Sequence, residues 1–486
     1  MDNGRVLVVD LDGTLLRSDM LLESFWSATA RDWAAPFRAG LALLRGGRAA
    51  LKDCVARIGP VDSRSLPYDA AVLEHLRQWR AAGGRTALVT ASSQRLADQV
   101  AAHLDLFDEV HGSDGTTNLK GARKAAFLRD RFGARGFDYA GDAEADLPVW
   151  EAAHHAITRT SRADLRRKVE AAMARRGEPP ADAVTHLPAA PVAPAVWMRA
   201  LRPHQWLKNA LVFVPMLAAH QLTGPTLTQS LLAFAVFSLV ASSVYLLNDL
   251  LDLAADRAHP RKRLRPLASG ALPLGHGTVL APVLLLAGLA LALPLGAEFV
   301  LVMAVYYIAT LAYSLALKRK LIVDICLLAG LYTLRIAAGA AATGIELSVW
   351  LLAFSIFFFF ALAAVKRQAE LVDGAAAGTA QAHGRGYRVT DLPLVSSMAI
   401  AAGYMSVLVM ALYIYSPEVR ILYARPEALW GICLVLLYWV SRMVMVTHRG
   451  QMHDDPIVFA VRDRVSVICL GLIVIFATFG GIPRTM

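Results

Sequence analysis

The stretch Tyr245-Leu-Leu-Asn-Asp-Leu-Leu-Asp-Leu-Ala-Ala-Asp256 continues an apolar run and is followed at once by the basic segment Arg257-Ala-His-Pro-Arg-Lys-Arg-Leu-Arg-Pro266. The apolar run predicts a membrane helix, and polar residues three and four positions apart at its end lie on one helical face. Those polar residues are Asn248, Asp249, Asp252 and Asp256. Carboxylates at a membrane boundary are costly without a cation, and oxygen ligands suit Mg²⁺ together with a phosphorylated substrate. The stretch therefore predicts a magnesium site, and the alternative is a solvated helix end.

Composition divides the chain into two parts. Its 486 residues are 56% hydrophobic with a mean hydropathy of +0.45, values too apolar for a soluble enzyme of this length. The apolar excess begins near residue 205, whereas residues 1 to about 190 have the composition of a globular α/β domain. A Pro/Ala-rich join lies between them. We therefore predict a soluble domain over 1–176, a linker over 177–198 and a membrane domain over 199–486.

Two further features concern the cellular compartment. The four cysteines are scattered and form no Cys-x-x-Cys pair, so the sequence predicts neither a zinc site nor a disulfide framework. The N-terminus enters a charged strand-and-turn pattern directly, which predicts that no signal peptide is present. Both features fit a soluble domain in the cytoplasm.

Nine candidate membrane spans follow the linker. They lie near residues 207–222, 228–248, 279–296, 299–316, 323–342, 349–365, 394–415, 429–446 and 465–482. Several are close to the roughly 20 residues that cross a bilayer. Basic residues concentrate in the loops on the side of the acidic stretch, which predicts a multi-pass inner-membrane protein with that side and the N-terminal domain in the cytoplasm. The net charge of +10 is thereby explained without a nucleic-acid partner.

Several basic residues are candidates for holding a phosphate or diphosphate. They are Arg202, Lys208, Lys262, Arg263, Arg265, Lys318, Arg335 and Lys366. Arg335 lies well inside a predicted span and needs a partner there, and Asp324 lies three turns earlier on the same span. For the loop residues, the alternative is a role in membrane orientation and contact with anionic lipid.

The segment from about 199 to 482 resembles the UbiA superfamily of intramembrane transferases. The family's first motif, Asn-Asp-x-x-Asp-x-x-x-Asp, is matched over residues 248–256. The second motif usually supplies two or more carboxylates, but only Asp324 remains in the corresponding stretch from Tyr313. The resemblance implies nine helices, a central cavity that faces the cytoplasm, and Mg²⁺ held against a diphosphate by the two motifs. The single carboxylate of the second motif argues against ordinary prenyl-diphosphate chemistry.

Five segments resemble one branch of that superfamily, the polyprenyl-phosphate phosphoribosyltransferases. They are Arg202-Pro-His-Gln-Trp-Leu-Lys-Asn209, Arg263-Leu-Arg-Pro-Leu-Ala-Ser-Gly270, Leu317-Lys318 before Asp324, Leu334-Arg335, and Lys366-Arg-Gln-Ala-Glu-Leu371. The resemblance implies phosphoribosyl pyrophosphate as the donor and a polyprenyl phosphate lipid as the acceptor. It gives Asp249 and Asp252 a catalytic role, with Asn248, Asp256 and Asp324 as further Mg²⁺ ligands. The basic residues named above would then bind the phosphate groups of donor and acceptor.

The N-terminal part contains apolar strands that end in polar residues. Arg5-Val-Leu-Val-Val-Asp10-Leu-Asp12-Gly-Thr14, Ala87-Leu-Val-Thr90-Ala-Ser92 and Phe137-Asp-Tyr-Ala-Gly141-Asp142-Ala-Glu-Ala-Asp146 follow this pattern. Such strands predict a doubly wound sheet with a site at its carboxyl edge. Over roughly residues 1–165 the pattern resembles the haloacid-dehalogenase (HAD) superfamily of Mg²⁺-dependent phosphohydrolases. Residues 18–66 form a helical insert rich in aromatic residues, each of which is expected singly to pack in the core, while the insert as a whole is a candidate cap that contacts membrane or lipid substrate.

The HAD resemblance implies a role for each polar residue of these strands. Asp10 would be the nucleophile and Asp12 the acid/base, and both would bind Mg²⁺ with Asp142. Thr90 and Lys124 would hold the phosphate, with Lys120 as the less favoured lysine, and Asp146 would support Asp142. An inactive, purely structural domain is the alternative.

These features together predict a bifunctional Mg²⁺-dependent membrane enzyme. Its membrane domain would transfer 5-phosphoribose to a polyprenyl phosphate, and its HAD-like domain would remove a phosphate, with the 5-phosphate of the product as the first candidate. One alternative is a prenyltransferase that moves an isoprenoid to an aromatic or other acceptor. Another is a membrane transporter or scaffold with an inactive HAD-like domain. A homo-oligomeric state is left open.

Overall fold

The chain forms two compact units. The computed structural model describes residues 4–113, 118–176, 180–376, 378, 386–452 and 455–481. The first unit comprises Met1–Leu201 and Tyr245–Pro282, and the second comprises Arg202–Val244 and Val283–Met486. The acidic stretch around Asp249 therefore belongs to the same compact unit as the N-terminal domain.

A six-stranded parallel sheet forms the centre of the N-terminal domain. Its strands are β1 Val6–Val9, β2 Arg85–Ser93, β3 Glu109–Ser113, β4 Phe137–Gly141, β5 Ala156–Thr158 and β6 Val184–His186. They are arranged in the order β3-β2-β1-β4-β5-β6. The strand order reverses between β1 and β4, and such a switch point is where doubly wound sheets bind their ligands. This arrangement confirms the predicted α/β class.

Helices cover both faces of the sheet. The helices of this part of the chain are α1 Met20–Arg31, α2 Ala35–Ile58, α3 Ala70–Ala81, α4 Gln94–Leu104, α5 Ala122–Phe132, α6 Leu147–Ala152, α7 Ala163–Ala174, α8 Pro180–Ala183 and α9 Pro194–Leu201. Alternate residues of β1 enter two separate cores. Leu7 and Val9 pack in one core with α3 and α4, whereas Val6 and Val8 pack in the other with α5, α6 and α7. Because β1 is buried on both faces, it is apolar at every position.

The sheet extends into the segment that the composition predicts to be a linker. β6 pairs in parallel with β5, and Leu187 donates its backbone N–H to Thr158 O at 2.9 Å. His186 also contacts Thr158 through its ring. A Pro/Ala-rich composition indicates a linker, but it does not prevent three residues from completing a sheet edge.

Helices dominate the rest of the chain. They are α10 Val214–Ala218, α11 Gly224–Leu251, α12 Leu253–Ala258, α13 Leu274–Ala292, α14 Ala297–Leu315, α15 Val323–Thr343, α16 Val349–Ala376, α17 Leu392–Ile414, α18 Pro417–Leu422, α19 Trp430–His448, α20 Pro456–Arg462 and α21 Arg464–Gly481. In the part of the chain that the structure describes, eight helical segments are long and apolar enough to cross a membrane. These segments contain α11, α13, α14, α15, α16, α17, α19 and α21.

The first of the nine predicted spans, near residues 207–222, is not a long helix. The chain there forms a 3₁₀ helix over Pro203–Phe213 and then the short helix α10. Pro203 and Pro215 stand at the starts of these two helices, and neither has a backbone N–H to donate. The 3₁₀ helix packs closely on α15, where a Cβ added to Gly339 would lie 2.1 Å from Val212 O. The segment near residues 207–222 therefore packs against α15 as two short helices and does not form one long span.

Candidate active sites

The carboxyl end of β1 carries the first two carboxylates of the HAD-like site. Asp10 accepts the backbone N–H of Leu11 at 2.9 Å and lies 3.0 Å from Lys124 Nζ. Burial would lower the pKa of Lys124, but Asp10 and Asp146 outweigh it and raise that pKa, so the lysine is charged. Burial also raises the pKa of Asp10, against the opposing effect of Lys124. The structure thus places the predicted lysine directly beside the predicted nucleophile.

Asp142 and Asp146 follow β4 at the same edge of the sheet. One carboxylate oxygen from each of Asp10, Asp142 and Asp146 lies within 4.8 Å of the others. Burial, followed by the charges of Asp10 and Asp146, raises the pKa of Asp142 well above its usual value. Three crowded carboxylates are the oxygen donor set that Mg²⁺ prefers, and a bound cation would relieve their repulsion. These residues therefore fit a Mg²⁺ ion, with Asp146 in the group and Asp12 outside it.

Gly13 makes the turn after β1 possible. Its φ is +76°, in the left-handed region that favours glycine, and a Cβ there would lie 2.2 Å from Asp142 Oδ2. The glycine of the Asp-x-Asp-Gly-Thr sequence thus allows the β1 loop to approach the carboxylate that follows β4.

Asp12 makes a different set of contacts. Its Oδ1 accepts the backbone N–H of Met20 at 2.8 Å, and its Oδ2 accepts the Ser92 hydroxyl at 2.6 Å. Burial, followed by the neighbouring Asp19, raises the pKa of Asp12 to about 7. A carboxyl group with such a pKa can both donate and accept a proton near neutral pH, which suits an acid/base.

The hydroxyl at the end of β2 differs from the prediction. Thr90 is fully buried and accepts the backbone N–H of Ser92 at 3.0 Å. Ala91 and Ser92 line the cavity at this edge. The pairing of β2 with β3 changes register between Val89 and Ser93, and Ser92, which is not among the predicted site residues, lines the cavity.

A cavity of about 1290 Å³ opens at these residues. Its wall includes the carboxylates named above together with the basic residues Arg17, Lys52, Lys120, Lys124, Arg159 and Arg166. The predicted linker supplies Leu187 to Ala190, and the segment after the acidic stretch supplies Gly270, Ala271 and Pro273. A Cβ at Gly270 would lie 2.8 Å from Arg17 Cβ, so this segment packs tightly on the HAD-like domain. The cavity is large enough to admit a phosphorylated sugar.

The acidic stretch itself lies where α11 gives way to α12. Asp252 has φ −97° and ψ 13°, and it separates the two helices that the sequence predicts as one. Helical hydrogen bonds still join Asp252 N to Asn248 O at 2.9 Å and Asp256 N to Asp252 O at 2.8 Å. The four polar residues therefore keep a nearly helical path, as their spacing predicts.

Arg265 brings two of these carboxylates together. Its Nη1 donates to Asp249 Oδ1 at 3.2 Å and to Asp256 Oδ2 at 2.6 Å. Both carboxylates are almost fully buried, and the guanidinium is 29% exposed. Asn248 and Asp252 are half-buried, while Lys262 and Arg263 are exposed. The structure thus gives Arg265 a direct contact with the predicted metal ligands, and it leaves Lys262 and Arg263 on the surface.

A second charged cluster lies in the second unit and is centred on Asp455. Lys208 Nζ and Lys366 Nζ lie 2.8 Å and 3.0 Å from the same oxygen, Asp455 Oδ2. Tyr332 OH lies 3.4 Å from that carboxylate. Burial would raise the pKa of Asp455, but Lys366 and Lys208 outweigh it and hold that pKa below its usual range.

Sequence reasoning identified both lysines and missed Asp455. The carboxylate is 247 residues from Lys208 and 89 from Lys366. Its only local signal is the pair Asp455-Pro456, which is typical of a helix start, and Asp455 does cap α20.

Arg335 is buried among aromatic rings and neutral oxygens. It donates to Asn209 Oδ1 at 3.0 Å, to Tyr306 OH at 2.8 Å and to Leu331 O at 2.6 Å. The guanidinium carbon lies 4.8 Å from the centre of the Tyr306 ring. The partners that the sequence requires for a buried arginine are therefore hydroxyl, amide and carbonyl groups on neighbouring segments.

Asp324 forms an ion pair with Arg367. Arg367 Nη2 lies 2.7 Å from Asp324 Oδ2, and both side chains are fully buried. Tyr387 OH donates to the other oxygen, Asp324 Oδ1, at 2.6 Å. The predicted metal ligand is therefore neutralised by a guanidinium. Arg202 and Lys318, two further predicted phosphate ligands, are half-buried.

Comparison with known proteins accounts for both parts of the chain. Residues 209–461 match the model of the UbiA prenyltransferase family, and residues 7–151 match the model of haloacid dehalogenase-like hydrolases. The chain belongs to the UbiA prenyltransferase family. It is a multi-pass membrane transferase with an N-terminal HAD-like domain, which confirms both predicted resemblances.

Members and relatives of the UbiA family resemble this chain to different extents. The uncharacterized protein y4nM of Sinorhizobium fredii is 38% identical over 468 residues, 95% of this chain and 88% of that protein. A decaprenyl-phosphate phosphoribosyltransferase of Mycobacterium tuberculosis is 44% identical over 197 residues, 39% of this chain and 64% of that protein. A solved UbiA homolog from Archaeoglobus fulgidus, bound to GPP and Mg²⁺, is 16% identical to this chain, with a TM-score of 0.46. The match covers 58% of this chain and 99% of the homolog.

Proposed function

We propose that this UbiA-family chain is a bifunctional membrane enzyme. Its membrane domain transfers 5-phosphoribose from phosphoribosyl pyrophosphate to a polyprenyl phosphate, and its HAD-like domain then hydrolyses the 5-phosphate of the lipid-linked product. The observation that carries the proposal is the pair of lysines, Lys208 and Lys366, that meet at Asp455 Oδ2. Both lysines lie in segments that resemble the phosphoribosyltransferase branch, and the decaprenyl-phosphate phosphoribosyltransferase relative supports the same chemistry.

The lysine pair suits the acceptor. Two ammonium groups and one carboxylate leave the cluster with a net positive charge, which favours a phosphate monoester on a lipid. Such a phosphate is already ionised at neutral pH and needs no strong general base. One of its oxygens bonds to C1 of the ribose while the C1–O bond to pyrophosphate breaks, and pyrophosphate leaves with the electron pair. The lysines orient the nucleophile, and Asp455 keeps the two cations at a fixed separation.

The acidic stretch suits the diphosphate of the donor. Asp249, Asp252 and Asp256 would hold Mg²⁺, and Arg265 already contacts two of these three side chains. In both domains the ion would stabilise negative charge on phosphate oxygens as a bond breaks. The second motif supports the same view, because it offers the single carboxylate Asp324, which is paired with Arg367, where a prenyl diphosphate usually meets two or more carboxylates.

The HAD-like site suits a two-step phosphate transfer. A carboxylate oxygen of Asp10 attacks phosphorus, and the bond from phosphorus to the ribose oxygen breaks while Asp12 donates a proton to that oxygen. Asp12 then accepts a proton from the water that attacks the aspartyl phosphate, which releases phosphate and the Asp10 carboxylate. Lys124 neutralises the phosphate, and Ser92 orients Asp12.

The test uses the purified full-length protein in liposomes with Mg²⁺. Phosphoribosyl pyrophosphate is offered with a polyprenyl phosphate, and geranyl diphosphate is offered in parallel with an aromatic acceptor. We expect one pyrophosphate and one inorganic phosphate to be released for each lipid-linked ribose formed. Consumption of geranyl diphosphate without consumption of phosphoribosyl pyrophosphate would establish the prenyltransferase alternative instead. We also propose that both sites face the cytoplasm from the inner membrane, because the basic loops lie on the side of the acidic stretch.

A further inference from the structure

The insert of the HAD-like domain exposes a row of large apolar side chains. Trp33, Phe37, Leu41 and Leu44 are 75%, 73%, 44% and 85% exposed. Phe37, Leu41 and Leu44 are four and three residues apart on α2, so they share one face of that helix, and Trp33 precedes it. We call these four residues the α2 surface. Large exposed apolar patches on a folded domain mark contact with a protein partner or a membrane.

The position of the insert indicates that the α2 surface contacts the membrane and not a protein partner. The helix before α2 is α1, which packs on α2 and is joined to it by residues 32–34. Trp26 of α1 donates its indole N–H to Thr278 Oγ1 at 2.9 Å, and Leu22 lies 3.7 Å from a Cβ added at Gly275. Both Gly275 and Thr278 lie in the first turns of α13, within the candidate membrane span Leu274–Leu295. The insert is therefore fixed to the point where a membrane helix begins.

The residues around the α2 surface fit a lipid headgroup region. Arg31, Arg38 and Arg45 are exposed on the same two helices, and Arg38 Nη1 lies 3.0 Å from Asp32 Oδ2. Tryptophan is enriched at membrane interfaces, and basic residues beside an apolar helical face attract anionic lipid. A helix with this composition lies in the plane of the interface with its apolar side among the acyl chains.

The same helix also forms part of the phosphatase cavity. Leu43, Leu51 and Lys52 of α2 line that cavity, and Lys52 Nζ donates to Ala91 O at 2.6 Å. Gly47, with φ +67°, interrupts the helix between the α2 surface and Lys52. One helix thus presents the α2 surface to the exterior and Leu43, Leu51 and Lys52 to the cavity.

We propose that α2 is an interfacial membrane helix that admits a lipid-linked phosphomonoester to the HAD-like site. The α2 surface enters the bilayer, and the polyprenyl chain of the substrate remains among the lipids while its phosphosugar enters the cavity beside Leu43 and Leu51. The membrane contact stands on the geometry alone, whereas the identity of the substrate rests on the function proposed above.

Tryptophan quenching tests the membrane contact without any enzymatic activity. Wild type and Trp33→Phe are reconstituted at full length in vesicles of phosphatidylcholine and phosphatidylglycerol, with and without dibrominated acyl chains. We expect the emission that depends on Trp33 to be quenched by the brominated lipid and protected from iodide. Trp79→Phe is the control, because Trp79 bonds to Arg85 O at the amino end of β2, the opposite edge of the sheet from the cavity. Emission from Trp33 that is quenched by iodide, or by neither agent because protein covers it, would overturn the proposal.

Kinetics test the delivery of substrate. The variant Trp33→Ser/Phe37→Ser/Leu44→Ser is compared with Asp53→Ser/Arg57→Ser, which removes an exposed ion pair on the same helix. We expect the first variant to lose about tenfold in hydrolysis of lipid-linked phosphoribose in vesicles while turnover of p-nitrophenyl phosphate is unchanged. The control variant should retain both activities. Equal losses on both substrates would overturn the delivery role. Absence of lipid-phosphate hydrolysis in the wild type would instead contradict the proposed function, and the quenching result would still decide the membrane contact.

Discussion

Glu23 and Arg257 form a buried two-point ion pair. Arg257 Nη1 donates to Glu23 Oε2 at 2.9 Å, and Arg257 Nη2 donates to Glu23 Oε1 at 2.7 Å. The two side chains are 3% and 6% exposed, and Ser18 donates its hydroxyl to the same glutamate. Glu23 belongs to the phosphatase insert, whereas Arg257 directly follows Asp256 of the transferase motif. This pair therefore ties a helix of the HAD-like domain to the acidic stretch of the UbiA-like part.

Loss of this ion pair should destabilise the first unit. In Glu23→Gln, Arg257 stays buried without its counter-charge, and we expect a cost of about 3–5 kcal/mol in the free energy of unfolding. Thermal unfolding and protease sensitivity of the insert measure the effect. The double variant Glu23→Leu/Arg257→Leu should recover much of the loss, because no buried charge is left without a partner. Equal unfolding temperatures for wild type and Glu23→Gln would show that the pair contributes little.

The transferase carboxylates should be separable from the phosphatase. We expect Asp249→Asn to abolish transfer while p-nitrophenyl phosphate is still hydrolysed, because Asp249 has no part in the HAD-like cluster. Arg265→Gln should also reduce transfer, since Asp249 and Asp256 lose their shared cation. The exposed carboxylate change Asp164→Asn serves as the control and should leave both activities intact. A folded Asp249→Asn protein that has lost both activities would contradict the assignment of the two reactions to separate sites.

Asp455→Asn tests the proposed acceptor site. Removing the carboxylate leaves Lys208 and Lys366 without their common partner, so their mutual repulsion should separate them. We expect the KM for the polyprenyl phosphate to rise by about tenfold and the KM for phosphoribosyl pyrophosphate to rise by less. Asp391→Asn is the control, because it removes a carboxylate at the N-cap position of α17 that accepts the backbone N–H of Arg388. An equal effect on both substrates would indicate that Asp455 stabilises the fold without positioning the acceptor.

Asp12→Asn should affect substrates according to their leaving groups. An alkyl alkoxide needs a proton as it departs, whereas p-nitrophenolate leaves readily without one. We therefore expect a much larger loss of kcat on ribose 5-phosphate than on p-nitrophenyl phosphate, measured by steady-state phosphate release. Ser92→Ala should show the same pattern more weakly, since Ser92 only orients Asp12. Identical losses on the two substrates would exclude proton donation by Asp12.

The accuracy of the sequence-based predictions depended on the distance over which each contact forms. The HAD-like carboxylates could be predicted because each ends a buried parallel strand, and parallel strands bring their carboxyl ends to one edge. Ser92 was not predicted, because the sequence pattern does not show which hydroxyl at the end of β2 lines the cavity. The strands were predictable from the sequence, but the direction of the hydroxyl side chains at the end of β2 was not.

Buried charges in the membrane part illustrate the same limit. The sequence required partners for Arg335 and Asp324, and helical spacing placed the two on one face of α15. The structure instead pairs Asp324 with Arg367 of α16 and bonds Arg335 to Asn209 and Tyr306. Packing between helices chose these partners, and no local pattern in a single sequence records that packing.

Asp10→Asn should separate the two reactions in a single experiment. Asparagine preserves the shape of the side chain but cannot act as the carboxylate nucleophile, so phosphate release should stop. The transfer step should continue, because its carboxylates lie on α11 and α12, far along the chain from Asp10. Mass spectrometry of the lipid products should therefore find lipid-linked 5-phosphoribose in the variant and lipid-linked ribose in the wild type. Asp105→Asn is the control, because Asp105 has φ +51° in an exposed turn and asparagine tolerates that conformation. A wild-type product that still carries its 5-phosphate would refute the proposed phosphatase substrate, even if the domain hydrolyses model phosphates, and would leave the fusion of the two enzymes without this chemical rationale.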